Sequence, residues 1–181
     1  MIITVEELRQ YISTDEGDQA LEGRLQALEL LIRGYTNNNF QVHGTGRIAD
    51  VVGGTFMVEV PPDYEVGDTV QISGSEKNNG LYTVKEMNGE TFRVNERTRD
   101  EIDLYVTRIE YPADVKMGVV NLLKWELNFR DKADIASESI SRHTINYQAL
   151  DAENTVHGYP AHLMGFLKPY MKARFGQGIR V

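Results

Sequence analysis

Cysteine is absent from all 181 residues of the chain. Without a thiol there can be no structural disulfide, no thiolate metal site and no cysteine nucleophile, so covalent chemistry would have to rest on Ser, Thr, Lys, Asp or Glu. Long apolar runs are missing too. The most apolar stretches, around Leu28 to Ile32 and Val119 to Leu123, fall far short of the roughly 20 residues that a membrane helix needs. The first residues, Met1-Ile2-Ile3-Thr4-Val5-Glu6-Glu7, turn acidic at once and lack the basic region of a secretory signal. A soluble chain without an export signal is expected. The composition, 41% hydrophobic and 25% charged, is that of an ordinary globular protein.

Excess positive charge is the next thing lacking, since the formal net charge is -8. That argues against a generally cationic surface that binds phosphate. The mean conceals a gradient. Residues 1–40 hold three bases against seven acids, residues 41–110 seven against thirteen, and residues 111–181 nine against seven. After Glu153 there is no acidic residue, and Lys168, Lys172, Arg174 and Arg180 follow.

What is present falls into three stretches. Thr4-x-x-Glu7 has the form of a capping box that opens a helix with Val5, Leu8 and Ile12 on one face. Asp15-Glu16-Gly17-Asp18 then predicts a turn and N-cap, followed by Leu21, Leu25, Leu28, Ile32 and Tyr35 at helical spacing. Gly34 and Asn37-Asn38-Asn39, which tolerate left-handed backbone, end that helix. From about Gln41 to Glu110 the period changes to two. Short β-rich runs alternate with Gly53-Gly54, Pro61-Pro62-Asp63, Asn79-Gly80 and Asn88-Gly89, which predicts five or six strands and a small SH3-like barrel. Asn88-Gly89 is the strongest hairpin signal, read as a type I′ turn.

After Tyr111-Pro112 the helical period returns, with Val115, Val119, Leu122, Leu123, Trp125 and Phe129 on one long helix to about Asp131. Apolar residues on more than one face suit the centre of a bundle or a subunit contact. Ile135 to Ala149 reads as a polar extended segment that cannot fold alone, and a last helix is expected near Pro160 to Phe175, kinked or broken at Pro169. Neither helical part is long enough for a core of its own. The expected class is therefore α+β: a small helical bundle of residues 1–40 and 111–181, interrupted by a β-barrel insertion of residues 41–110. The competing layout, with a separate C-terminal domain, leaves the first two helices little to pack on.

Catalytic patterns are missing as well. His157 and His162 lack the i, i+4 spacing of a helical metal site, and no Gly-x-Ser-x-Gly elbow accompanies Ser137, Ser139 and Ser141 near His143. Gly44-Thr45-Gly46 lacks the rest of a dinucleotide fingerprint. No enzyme activity, cofactor or metal is expected. Tyr82, Phe92 and Tyr105 could stack on bases and the basic C-terminal tail could touch phosphate, which makes a nucleic-acid module the alternative reading. The barrel's acidity opposes it.

Five segments taken in order carry a resemblance. They are Thr4-Val-Glu-Glu-Leu-Arg-Gln-Tyr-Ile12, Tyr35-Thr-Asn-Asn38, Tyr111-Pro-Ala-Asp-Val-Lys116 leading to Trp125-Glu-Leu127, Ser137-Glu-Ser-Ile140 with Thr144-Ile-Asn-Tyr147, and Gly158-Tyr-Pro160 leading to Leu167-Lys-Pro-Tyr-Met-Lys-Ala-Arg-Phe175. This set resembles the bacteriophage head-to-tail connector family, also called head-completion or DNA-packaging adaptor proteins. The β stretch departs from the family pattern, which joins the second and third helices by a short connection.

The resemblance implies a structural virion protein, located at the head-to-tail interface, that forms a ring of about twelve copies under the portal. Such a ring completes the DNA channel without specific DNA binding and without a membrane. Its partners would be the portal, a tail-side completion or stopper protein, and further copies of itself, from a chain that can be monomeric before assembly. Ser139, Ile140, Thr144, Ile145, Tyr147 and Trp125 would then lie at the subunit interface. Lys168, Lys172, Arg174, Phe175 and Arg180 would meet the portal.

Overall fold

A computed structural model describes residues 1–129, 137–140, 143–146 and 155–173. Thr4 starts α1 (Val5–Arg9), its Oγ1 accepting the Glu7 backbone N–H at 3.1 Å. Helix α2 (Asp18–Thr36) starts at Gly17, which makes no side-chain cap, and ends where Asn37 turns left-handed at φ 49°. Leu21, Leu25, Leu28 and Ile32 are buried along one face of α2. This is the stripe that its three-and-four spacing predicts.

Six strands follow: β1 (Arg47–Val52), β2 (Thr55–Val58), β3 (Thr69–Ser73), β4 (Gly80–Asn88), β5 (Thr91–Val94) and β6 (Glu101–Ile109). They close into an antiparallel barrel in the order β1-β2-β5-β4-β3-β6, with β6 pairing back onto β1. The chain is thus α+β with a closed barrel. Inward side chains fill it: Phe56 stacks on Phe92 at 4.7 Å and 9°, among Val51, Val70, Ile72, Val84, Leu104 and Val106. Tyr64 meets Phe92 edge-on at 5.7 Å, and its hydroxyl lies 2.8 Å and 3.0 Å from the carbonyls of Thr45 and Val106. Burial pushes that phenol up to about 12.

The turns differ from the expected pattern in one respect. Asn88 pairs with Thr91, so Gly89 and Glu90 are the central residues of the β4–β5 hairpin, and only Gly89 has positive φ. A type I′ turn needs positive φ twice, and that condition is met instead at Gly53-Gly54, φ 57° and 78°, between Val52 and Thr55. The strand register, not the dipeptide, decides which residues sit at the centre.

The barrel's beginning and end lie side by side. Glu110 N–H donates to the Phe40 carbonyl at 3.0 Å, Gln41 bridges Ile109, and the Phe40 and Tyr111 rings meet at 4.9 Å. Chain contacts divide the molecule into one unit of Met1 with residues 39–111 and another of residues 2–38 with 112–181.

In the second unit, α3 (Ala113–Phe129) buries Val115, Val119, Val120, Leu122 and Leu123. The expected last helix is not α-helical. Residues Ala161–Tyr170 form a 3₁₀ segment that contains Pro169 and packs on α3 and α2. The expected extended segment is also resolved differently: β7 (Ser137–Ile140) and β8 (His143–Asn146) pair with each other as an antiparallel hairpin, Ser139 opposite Thr144 and Ile140 opposite His143. A second small hairpin, β9 (Thr155–Val156) and β10 (Tyr159–Pro160), turns through His157 and Gly158 at φ 52° and 80°.

Candidate functional site

The expected interface residues fall in two places within the helical unit. Ser139, Ile140, Thr144 and Ile145 lie on the β7–β8 hairpin, which forms a two-stranded sheet with no third strand among the described residues. Tyr147 lies outside the described residues. Trp125 is on α3, half-buried, its ring 5.5 Å from that of Tyr159 on β10.

Beside Trp125, the neighbouring residue on α3 organises a polar cluster. Glu126 accepts from the Tyr159 hydroxyl at 2.8 Å with one oxygen and from Arg24 Nη1 at 2.8 Å with the other. Arg24, on α2, also holds Glu16 through two parallel bonds, Nε to Oε2 at 3.0 Å and Nη2 to Oε1 at 2.7 Å. The Glu16 bond is the main reason that the guanidinium is held above its ordinary pKa, with burial opposing it. One cation thereby ties the loop before α2, α2 itself and α3 into one fixed arrangement. His157 lies edge-on to Tyr35 at 5.5 Å and 88°. Arg24, Glu126, His157 and Tyr159, with the small residues Ala20, Gly23 and Ala27, line an open groove of about 520 Å³.

Trp125 is among the expected site residues; Glu126 and Tyr159 figure only as members of the resembling segments, and Arg24 carries no such signal. Ordinary charged residues at helical spacing carry no mark of pairing, because Arg24 and Glu126 are brought together only by packing. Gly118 does carry such a mark, since glycine within a helix interior is costly. A Cβ there would lie 2.3 Å from the Phe166 ring, so this glycine lets the 3₁₀ segment approach α3.

The expected portal-binding residues begin in that segment. Lys168 and Lys172 are exposed, and Arg174, Phe175 and Arg180 lie outside the described residues. The backbone around Lys172 is strapped to the end of α2: Lys172 N–H donates to Thr36 O at 2.8 Å, Asn37 Nδ2 to Ala173 O at 3.0 Å and Asn38 Nδ2 to Tyr170 O at 3.1 Å. Tyr170 donates to the Asp114 carboxylate, 2.7 Å and 2.9 Å from its oxygens, in the first turn of α3. That bond raises the phenol's pKa. The asparagines that stop α2 thus also position the start of the basic tail.

No protein-family model and no curated protein matches the chain. Among the described residues no group of three or more His, Asp or Glu could hold a metal, and no helix is long and apolar enough to cross a membrane. Ser139 and His143 lie on neighbouring strands, one residue out of register, with Ser139 opposite Thr144. On the barrel, Phe92 is buried in the core, Tyr82 is half-buried, and Tyr105 is exposed. Phe92 and Tyr82 are thus turned toward the core, Tyr82 being paired with inward Val70, and Tyr105 alone of the three stands on the outer face.

Proposed function

We propose that the chain is a structural head-to-tail connector of a bacteriophage. In this reading a connector-like helical bundle carries an SH3-like barrel insertion and forms a ring under the portal that completes the DNA channel. The observation that carries it is the β7–β8 hairpin. A two-stranded hairpin is marginal in water by itself. Here its outer edges have no further strand among the described residues, so backbone donors and acceptors are offered to another chain by edge addition. Contact between unlike surfaces of neighbouring copies closes a ring when the rotation allows. The exposed Lys168 and Lys172, on backbone held to α2, give the tail a defined root from which to reach the portal. An acidic lumen would let DNA pass with little counterion release.

Purified chain mixed with its portal, followed by native mass and negative-stain images, tests the proposal. A ring seated on the portal is expected. A chain that stays monomeric and never associates with a portal would overturn it. The nucleic-acid alternative has less support, because Phe92 is turned into the core and residues 41–110 are acidic. Salt-dependent retention of DNA that weakens when Lys168, Lys172 and Arg174 are neutralised would favour it instead.

A further inference from the structure

The closed barrel has no free strand edge, so it can bind another molecule only through side chains or loops. One of its outer faces is unusually apolar. On β1 the outward residues are Ile48, Asp50 and Val52, with Ile48 64% and Val52 53% exposed. Across the strand, Ile48 is opposite Tyr105 on β6, 47% exposed, and Asp50 is opposite Met57 on β2, 43% exposed. Ile102, 67% exposed, stands beside them where β6 is irregular. Opposite and diagonal neighbours on one sheet face are within side-chain reach. Ile48, Val52, Met57 and Tyr105 therefore form one exposed apolar patch, with exposed Ile102 on the adjoining irregular stretch of β6. Tyr105 is pre-set within it. A Cβ on Gly46 would lie 1.9 Å from the Tyr105 hydroxyl, so the ring lies directly over a backbone that only glycine leaves open.

The patch is studded with negative charge. Asp50 sits at its centre and accepts the Asp103 N–H at 2.9 Å, while Asp100 accepts the Gly53 N–H at 2.8 Å. No lysine or arginine forms an ion pair with Asp50, Asp100 or Asp103 among the described residues. Arg47 is turned onto the carbonyls of Gly44 and Gly46 and Arg93 onto the Thr55 hydroxyl, while Arg97 and Arg99, on the loop before β6, are exposed and in no ion pair among the described residues. Nucleic acid is repelled by such a face. A second copy packed face to face would set these carboxylates against each other, which costs association free energy.

We propose that the outer face of β2, β1 and β6 docks a different protein, one presenting an apolar anchor flanked by lysine or arginine. Ile48, Val52, Met57, Ile102 and Tyr105 receive the anchor; Asp50, Asp100 and Asp103 select the flanking cations. The inference stands apart from the connector reading, because it uses only the barrel's surface.

Methyl-labelled full-length chain gives a direct readout, since Ile48, Val52, Met57 and Ile102 all carry methyl groups. The probes are two synthetic peptides with the same Leu-Phe-Leu centre, one flanked by lysines and the other by glutamates. The lysine peptide is expected to shift those four methyl signals, and the glutamate peptide to bind about tenfold more weakly or not at all. Asp50→Asn with Asp103→Asn should reduce the preference several-fold, asparagine being tolerated at the positive φ of Asp103. Ile48→Thr should weaken both peptides while leaving the melting temperature near that of the parent. Shifts confined to other methyls, equal binding of the two peptides, or no shift at millimolar peptide would overturn the proposal. So would patch signals that move with protein concentration alone, which would assign the face to a second copy.

Discussion

The barrel and the helical unit solve the same problem in opposite ways. The barrel satisfies its strands internally: every one of its six strands has two neighbours, and Phe56 and Phe92 stack at its centre. The helical unit is drawn from two distant segments, relies on a 3₁₀ segment with a proline inside it, and carries a hairpin with no third strand among the described residues. A fold that closes on itself can meet partners only through its side-chain surface. A hairpin that meets no third strand among the described residues is the basis for proposing self-assembly of the helical unit, and the closed barrel's side-chain surface is the basis for proposing docking there.

The comparison can be broken experimentally because Trp125 is the only tryptophan and lies in the helical unit. Its fluorescence follows that unit, while β-sheet circular dichroism follows the barrel. The largest effect is expected from Phe92→Ala, which removes a buried ring from the barrel core and should cost about 3–5 kcal/mol. In urea, the β signal should move to lower denaturant while the Trp125 transition stays in place. Coincident movement of both would mean that the units unfold as one, and the contrast would fail.

Gly118→Leu is the reciprocal test. The new side chain collides with Phe166, and overpacking of this kind should cost about 1–3 kcal/mol. Here the Trp125 transition should fall and the β signal should hold.

Smaller effects sharpen the account of the barrel. Tyr64→Phe removes a hydroxyl bonded to two carbonyls and should cost about 1 kcal/mol. In the parent, the phenol's pKa is raised to about 12. Its contribution is therefore complete below the ordinary tyrosine value and is lost as pH rises toward 12. Absorbance titration should show one fewer late-ionising tyrosine in the variant.

The smallest expected effect is at Glu101. Its carboxylate gathers the loop before β4, accepting from Ser75 Oγ at 2.7 Å, Glu76 N at 2.6 Å and Asn78 Nδ2 at 2.8 Å. The Ser75 bond leads in holding its pKa below the usual carboxylate range. Stability from this latch is present above that range and is lost as pH falls through the depressed value. Glu101→Gln should lower the barrel's melting temperature slightly at neutral pH and flatten its acid limb. An unchanged acid limb would remove Glu101 from the account.

Much of the fold was legible locally. The α2 stripe and its stop at Asn37, the Thr4 cap, and the succession of strands between turn dipeptides all follow from spacing and residue type. Failures occurred where distant residues decide. Gly53-Gly54 became the I′ turn because β1 and β2 are in register around it. The polar segment near Ser139 doubled back into a hairpin, and alternation alone is the same for one long strand as for two short ones. Of the expected site, Trp125 and the exposed Lys168 and Lys172 have defined positions, whereas the Glu126 cluster went unseen because its partners are far apart in sequence.

By itself the sequence determined where the first two helices, the barrel strands and α3 run, that no thiol chemistry is possible, and how charge divides along the chain. Local backbone preferences and composition suffice for each of these. Only the tertiary structure decided which side of β1 faces outward, that Ile48 stands opposite Tyr105 with Asp50 between them and Val52, and that Arg24 reaches Glu126. Period-two alternation offers two faces and does not say which is the inside. Closure of the barrel makes that choice, because only one face can fill the interior around Phe56 and Phe92.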